Sequence, residues 1–254
     1  STIDAMKSSA AEVAAIVRKI EGMGITVSAY GATMNHLGPT PDAAQRTQEY
    51  FAKLIPFAAE TGVKVIGTHT GLVPNAKIDA QLAAMKPVFT QYLELCEKHG
   101  VYLALENYPG ANCATTPENF ERIFEALPSR FLGLEYDPSH MVRQFIDPIA
   151  PARQFRDRIY HVHAKDTEII QPVLQRRGIH GDGWWRYRLP GFGEVKWNEM
   201  ITVLLDFNYA GGIDIEHEDN LFGWGERAPD ITDAQKEGYR LALRYLGQFV
   251  PSKA

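Results

Sequence analysis

The stretch Leu82 to Asn107 decides the fold. Its first part places Leu82, Met85, Phe89, Tyr92 and Cys96 on one helical stripe that stops at Gly100. Its second part, Val101-Tyr102-Leu103-Ala104-Leu105-Glu106-Asn107, is an apolar run ending in an acid and an amide. A helical period, a glycine stop and a strand with almost no polar residue spell one αβ step, with the strand buried on both faces as in a parallel sheet. The pattern recurs on either side. Val13, Ile16, Val17 and Ile20 form a stripe that ends at Gly22 or Gly24, and Tyr50, Leu54, Phe57 and Ala58 form another that ends at Gly62. Strands are expected at Ile25 to Tyr30, Val63 to Thr68, Val101 to Glu106, Phe131 to Asp137, Ile159 to His163 and Gly212 to Glu216. Thr116-Pro117-Glu118 and Asp147-Pro148 read as helix starts with proline in the first turn, and Thr232 with Gln235 has capping-box spacing. The last helix is expected to run from about Thr232 to Phe249 with Tyr239, Leu243 and Leu246 on one face. Gly238 weakens it by about 1 kcal/mol relative to alanine.

Alternating helices and strands imply an α/β fold with right-handed crossovers, either an open doubly wound sheet or a closed (β/α) barrel. Polar residues choose between them. His69, Glu106, Asp137, His163 and Glu216 all stand at or just past the C-terminal ends of successive strands, and a barrel brings every such end to one mouth. The expectation is therefore a TIM barrel, read as one domain over residues 1–254 with a long loop at about 167–194. Six strands are legible where a barrel needs eight. The reading is thus of a barrel lacking its first two βα units, either truncated or closed by another chain.

Composition narrows the function. Of 254 residues, 45% are hydrophobic and 22% charged, enough for one large core. No apolar run reaches the roughly 18 residues of a membrane span, and no leader pattern opens the chain, so a cytoplasmic protein without a membrane partner is expected. Cys96 and Cys113 fall in unrelated contexts and read as free thiols. A net charge of −5 offers no basic field, which argues against nucleic acid. A small polar ligand remains.

The chemistry is concentrated in Leu105-Glu106-Asn107, Asp137-Pro138-Ser139-His140, His161-Val162-His163-Ala164-Lys165-Asp166 and Ile215-Glu216-His217-Glu218. One strand-end acid is usually a helix cap or a solvated loop residue. Four such groups in succession are different, because three carboxylates gathered without a cation repel one another. Glu106, Asp137, His163 and Glu216 therefore read as ligands of one divalent metal. This hard donor set suits Mn²⁺ first, with Mg²⁺, Co²⁺ or Zn²⁺ as alternatives. His140 reads either as a contact to substrate or metal-bound water or as a hydrogen bond behind the ligands. His69 reads as a substrate-hydroxyl contact or a plain loop histidine, His161 as packing or a hydrogen bond behind the ligands, and Lys165 with Asp166 as an ion pair or as groups that orient the site. Trp184, Trp185 and Arg186, in the aromatic and cationic run from Asp182 to Glu194, read as substrate contacts over the mouth or as a mini-core folding the long loop.

On these strand-end motifs the chain resembles the xylose-isomerase-like TIM barrel superfamily, which includes sugar isomerases, ketose 3-epimerases and inositol-catabolism enzymes. The resemblance covers about Ser9 to Glu218. It implies that a Glu, an Asp, a His and a second Glu hold one metal, matching Glu106, Asp137, His163 and Glu216. It also implies that Glu106 and Glu216 flank the substrate as acid and base, and that Asp137 and His140 form the Asp-x-x-His pattern. The expected activity is isomerisation or epimerisation of a sugar or sugar-like polyol by proton abstraction next to a carbonyl. Three alternatives stand beside it. A lyase or deglycosidase acting on 3-keto-glycosides would use the same intermediate, a non-catalytic subunit would bind a sugar, and a zinc endonuclease would need an extra Asp-x-His and a basic groove that the sequence lacks. A homo-oligomer or a complex with another subunit is expected.

Overall fold

The computed structural model describes residues 3–110, 112–225 and 230–250, in two compact units. The first comprises Ser1–Tyr136 with Arg158–His161, and the second Asp137–Asp157 with Val162–Ala254.

In the first unit the elements follow as α1 (Ala10–Glu21), β1 (Tyr30–Gly31), α2 (Pro41–Thr61), β2 (Val65–Thr68), α3 (Ile78–His99), β3 (Tyr102–Glu106), α4 (Pro117–Ala126) and β4 (Leu132–Tyr136). The pairs β1–β2, β2–β3 and β3–β4 are parallel, with Ile66 opposite Leu103 and Leu103 opposite Leu132. The β3 and β4 side chains are almost all buried, as the apolar runs require of strands covered on both faces. Sequence punctuation works as read. Thr40 and Thr116 accept a hydrogen bond from the backbone N–H three residues on, with proline just inside each helix, and Gly62 and Gly100 end α2 and α3 in the left-handed conformation.

Two expectations are corrected here. The first strand was expected from Ile25 to Tyr30, but only Tyr30–Gly31 pairs, through Ile66 and Gly67. Ile25 is exposed and its N–H bonds back to the Ile20 carbonyl at 3.3 Å, so it closes the end of α1 instead of entering the sheet. In α1, Val13, Ala14 and Val17 are buried while Ile16 faces solvent, so the buried stripe is narrower than the pattern implied.

β5 (Ile159–Ala164) begins in the first unit and ends in the second. The second unit continues with α5 (Pro138–Arg143), α6 (Ile149–Gln154), β6 (Asp166–Ile169), α7 (Gln171–Arg177), β7 (Trp185–Arg188), α8 (Trp197–Asp206), β8 (Ile213–Ile215) and α9 (Asp233–Leu246). β5 pairs in parallel with β8, Val162 opposite Ile213 and Ala164 opposite Ile215. The helix expected to start at Asp147-Pro148 starts one residue later, with Asp147 Oδ1 accepting from the Ile149 N–H at 3.0 Å.

The segment read as a long loop carries regular structure. β6 and β7 form an antiparallel pair, Glu168 opposite Arg186, with α7 between them. Glu168 Oε2 accepts from Arg186 Nε at 2.7 Å and Arg188 Nη1 at 2.6 Å, so cross-strand charge and backbone pairing act together. Asp166 anchors this hairpin, taking the N–H groups of Thr167, Gly191 and Val195 and the Trp197 indole N–H. Burial raises the Asp166 carboxyl to about 6 despite these donors.

The capping box of α9 is present in full. Its buried residues are Gly238, Ala242 and Leu246, whereas Tyr239 and Leu243 are exposed, which corrects the expected face. Gly238 explains the shift. A Cβ there would lie 2.8 Å from His217 Nε2 and 2.8 Å from Leu189 Cδ1, so glycine lets α9 approach closely and outweighs the helix propensity it forgoes. Cys96 and Cys113 are free and buried. No helix among the described residues is long and apolar enough to cross a membrane.

Candidate metal centre

In the second unit Asp137 follows β4, His163 lies near the end of β5 and Glu216 follows β8. Each therefore leaves the C-terminal end of a parallel strand, and one ligand atom from each lies within 4.8 Å of the others. Asp137 has two tasks. Its Oδ1 caps α5 by accepting from the Ser139 N–H at 2.8 Å, while Oδ2 lies 3.2 Å from His140 Nε2 and 3.0 Å from Lys165 Nζ. The helix-cap and ligand readings of this residue thus describe its two oxygens separately. Glu216 Oε2 lies 3.2 Å from His163 Nδ1 and 2.6 Å from Lys165 Nζ.

Lys165 faces the site carboxylates and not its neighbour. It does not pair with Asp166, because neighbouring residues of an extended chain point to opposite faces. Its side chain instead shares a face with His163, is almost wholly buried, and reaches Asp137, Glu216 and Glu218, the last at 3.0 Å. Burial alone would lower its ammonium pKa. Asp137, Glu216 and Glu218 reverse that and hold it well above the ordinary lysine range. Three carboxylates facing one ammonium leave two formal negative charges in excess, the charge of one divalent cation. Two carboxylates and an imidazole at this spacing fit such an ion, and the ammonium already marks where positive charge is drawn.

A chain of hydrogen bonds backs Asp137. The Arg143 guanidinium donates to Tyr187 Oη at 3.3 Å, Tyr187 Oη lies 2.9 Å from His140 Nδ1, and His140 Nε2 faces Asp137. Tyr187 Oη can exchange a hydrogen bond with Nδ1 in either direction, and Nε2 also lies 3.5 Å from Lys165 Nζ, so these contacts order the ring without fixing its tautomer. Burial keeps the Tyr187 phenol above its usual range, so the hydroxyl persists. His140 is fully buried behind the carboxylate, and Tyr187 comes from β7 in the segment expected to be loop.

The remaining predicted residues separate. Trp184 is buried, stacked on Phe145 at 5.6 Å with its indole N–H donated to the Ile179 carbonyl, as the mini-core reading of this segment has it. Trp185 lies under the Arg143 guanidinium at 3.8 Å and edge-on to Tyr187 at 4.9 Å. Arg186 is engaged by Glu168. In the first unit, Glu106 ends β3, and its buried Oε2 lies 2.8 Å from His69 Nε2. His69 in turn stacks on Tyr108 at 5.3 Å. His161 is buried between Glu135 Oε1, 3.2 Å from Nδ1, and Ser28 Oγ, 3.1 Å from Nε2, as expected of a packing residue. The Glu135 carboxylate also lies where a Cβ on Gly67 would be, which is why β2 carries glycine there.

The chain belongs to the xylose isomerase-like TIM barrel family, whose model matches residues 3–247. It is 26% identical over 196 residues to the inosose dehydratase of Bacillus thuringiensis (strain Al Hakam), a match covering 70% of this chain and 65% of that protein. The chain thus spans just under two thirds of the curated relative's length. Among solved structures it is similar to the 3-keto-D-glucoside 4-epimerase YcjR from E. coli in its apo form, with a TM-score of 0.70, 16% identity, and coverage of 94% of this chain and 85% of that one. It is also similar to the IOLI protein with a bound zinc atom, with a TM-score of 0.71, 16% identity, and coverage of 97% and 84%. At these identities the two structures speak to the fold.

Proposed function

We propose that this chain is a divalent-metal-dependent isomerase or epimerase of a sugar or sugar-like polyol, with Glu106, Asp137, His163 and Glu216 as the metal ligands. The observation that carries the reading is the convergence of Asp137, His163 and Glu216 from three strand ends, with two negative charges in excess of Lys165. The ion, Mn²⁺ first among the candidates, supplies Lewis acidity that makes the proton next to a substrate carbonyl removable.

The chain's own residues handle the proton. Glu106 and Glu216 flank the substrate, one removing the carbon-bound proton and the other returning it. Return to the opposite face of the same carbon gives an epimer, and return to the neighbouring carbon gives an isomer. His69 holds the Glu106 carboxylate by its 2.8 Å contact. His140, fixed by Tyr187, holds Asp137 in the same way. Trp185 and Arg186 sit on the second unit's hairpin with partly exposed side chains, the placement expected of groups that set substrate size and orientation.

A second reading is elimination. Removal of the same proton can be followed by loss of a hydroxyl or glycosidic oxygen from the next carbon, giving a dehydratase or a lyase on a 3-keto-glycoside. The resemblance to an inosose dehydratase favours this branch. Incubating the Mn²⁺-loaded protein with ketoses, keto-cyclitols and 3-keto-glycosides in D₂O separates the readings. Deuterium incorporation without loss of oxygen supports epimerisation or isomerisation, an unsaturated product with loss of oxygen supports elimination whether or not it carries deuterium, and neither exchange nor product with any of them leaves only a binding role. Glu216→Gln should abolish exchange while keeping the fold.

A further inference from the structure

Lys165 sits where a cation is needed, and this has a consequence for how the site fills. Its ammonium lies 2.6 Å from Glu216 Oε2 and 3.0 Å from Asp137 Oδ2, the carboxylates of two proposed ligands. A cation placed between those oxygens would meet the ammonium at a repulsive distance. Yet the lysine is not confined to them. Glu218 Oε2 also lies 3.0 Å from Nζ, with His140 Nε2 3.5 Å away and the Tyr187 ring centre 4.6 Å away. Glu216 and Glu218 share one face of an extended chain because they are two residues apart. The lysine can therefore swing from one to the other with its charge intact.

We propose that Lys165 is an internal counter-cation: it holds Asp137 and Glu216 together in the absence of metal, and an incoming divalent ion displaces it onto Glu218 and the face of Tyr187. This inference rests on the metal site proposed above. In the absence of metal the three carboxylates exceed the ammonium by two negative charges, which a divalent ion offsets. Without the ion, one ammonium is shared by three carboxylates; with it, the divalent charge meets Asp137 and Glu216 while Lys165 pairs with Glu218. Lys165 is then a positioning residue that sets the affinity of the site by competing for it, and Glu218 is the partner that receives it.

The test is Mn²⁺ titration of the whole chain by calorimetry and Mn²⁺ electron paramagnetic resonance, in the wild type, Lys165→Met, Glu218→Gln and the double variant. Groups beside metal ligands change affinity by about ten- to a hundredfold. On that scale Lys165→Met should tighten Mn²⁺ binding, because the competitor is gone, while lowering the thermal stability of the metal-free protein. Glu218→Gln should weaken Mn²⁺ binding, because the displaced ammonium has lost its acceptor. The double variant should match Lys165→Met, since Glu218 acts only through Lys165; a Glu218→Gln effect that persists without Lys165 would mean simple charge loss and overturn the exchange. Weaker Mn²⁺ binding in Lys165→Met, with the wild type binding well, would also overturn it and leave the metal site standing. No Mn²⁺ binding by the wild type or any variant would remove the site itself. Should Lys165→Met not fold, Glu218→Gln decides alone: unchanged or tighter binding sinks the proposal.

Discussion

Replacing Tyr187 with phenylalanine removes one hydroxyl and tests whether the hydrogen-bond chain behind Asp137 does what its geometry indicates. In the wild type Tyr187 Oη is 2.9 Å from His140 Nδ1, and His140 Nε2 is 3.2 Å from Asp137 Oδ2, with the imidazole fully buried. Tyr187→Phe keeps the ring, its edge contact with Trp185 and its face toward Lys165, so packing is largely conserved. What goes is the hydroxyl that meets His140 Nδ1. A buried polar atom that loses its partner costs about 1–3 kcal/mol. In a chain of this size each kcal/mol is worth about 2–4 °C in Tm. Without the hydroxyl His140 is held less firmly behind Asp137, and loss of such a supporting contact weakens metal binding by about ten- to a hundredfold. Urea denaturation of the metal-free protein and Mn²⁺ calorimetry measure the two effects independently. A Tyr187→Phe protein with wild-type stability and wild-type Mn²⁺ affinity would refute the role given to this chain. A loss of stability with affinity unchanged would reduce Tyr187 to a packing residue.

Two further outcomes follow from the same structure. Trp185→Ala should raise KM and change its ratio between small and large sugars, at a stability cost of about 0.5–1 kcal/mol for the lost Arg143 contact; unmoved KM ratios would remove Trp185 from substrate selection. His36 should make the fold acid-sensitive. It is fully buried against Phe51, Phe89 and Tyr92, its Nε2 is 2.9 Å from a Thr68 hydroxyl that itself donates to the Ala32 carbonyl, and burial depresses its pKa to about 3. Because the folded value lies below the unfolded 6.5, the contribution is complete above pH 6.5 and is lost as pH falls toward 3, with a slope of up to about 1.4 kcal/mol per pH unit. Denaturation midpoints of His36→Phe measured from pH 7 to 4 should lack this part of the slope; an identical slope in both proteins would contradict the assignment.

Much of this architecture was legible because it is written locally. The strands around Ile66 and Leu103 are apolar through most of their length, and glycines in the left-handed conformation close the helices before them. What was not legible depends on partners far along the chain. The run from Ile25 has strand-like composition, yet only Tyr30 and Gly31 pair with β2, and a strand exists only where another supplies hydrogen bonds. The sequences Asp166-Thr-Glu-Ile and Trp185-Arg-Tyr-Arg look like loop, and become a hairpin because Glu168 meets two arginines and Asp166 gathers four N–H donors from elsewhere.

The metal-type residues were found by counting acids and histidines at strand ends. Their supporting cast was missed for a simpler reason. Alternation along an extended chain separates Lys165 from Asp166 and joins Glu216 with Glu218, and applying that rule to His163-Ala164-Lys165 would have pointed Lys165 at the site from the start. Tyr187 carried no such signal, since its reach to His140 depends on how β7 pairs with β6.

The central claim is that Asp137, His163 and Glu216, joined by Glu106, hold one divalent cation. The most direct test is a crystal of the protein grown with Mn²⁺ and measured at the manganese absorption edge. The account predicts one anomalous peak per chain, at bonding distance from a carboxylate oxygen of Glu106, Asp137 and Glu216 and a ring nitrogen of His163, and no such peak in Glu216→Gln. A full-occupancy peak elsewhere, or an empty site with Lys165 still between Asp137 and Glu216 at saturating Mn²⁺, would contradict it.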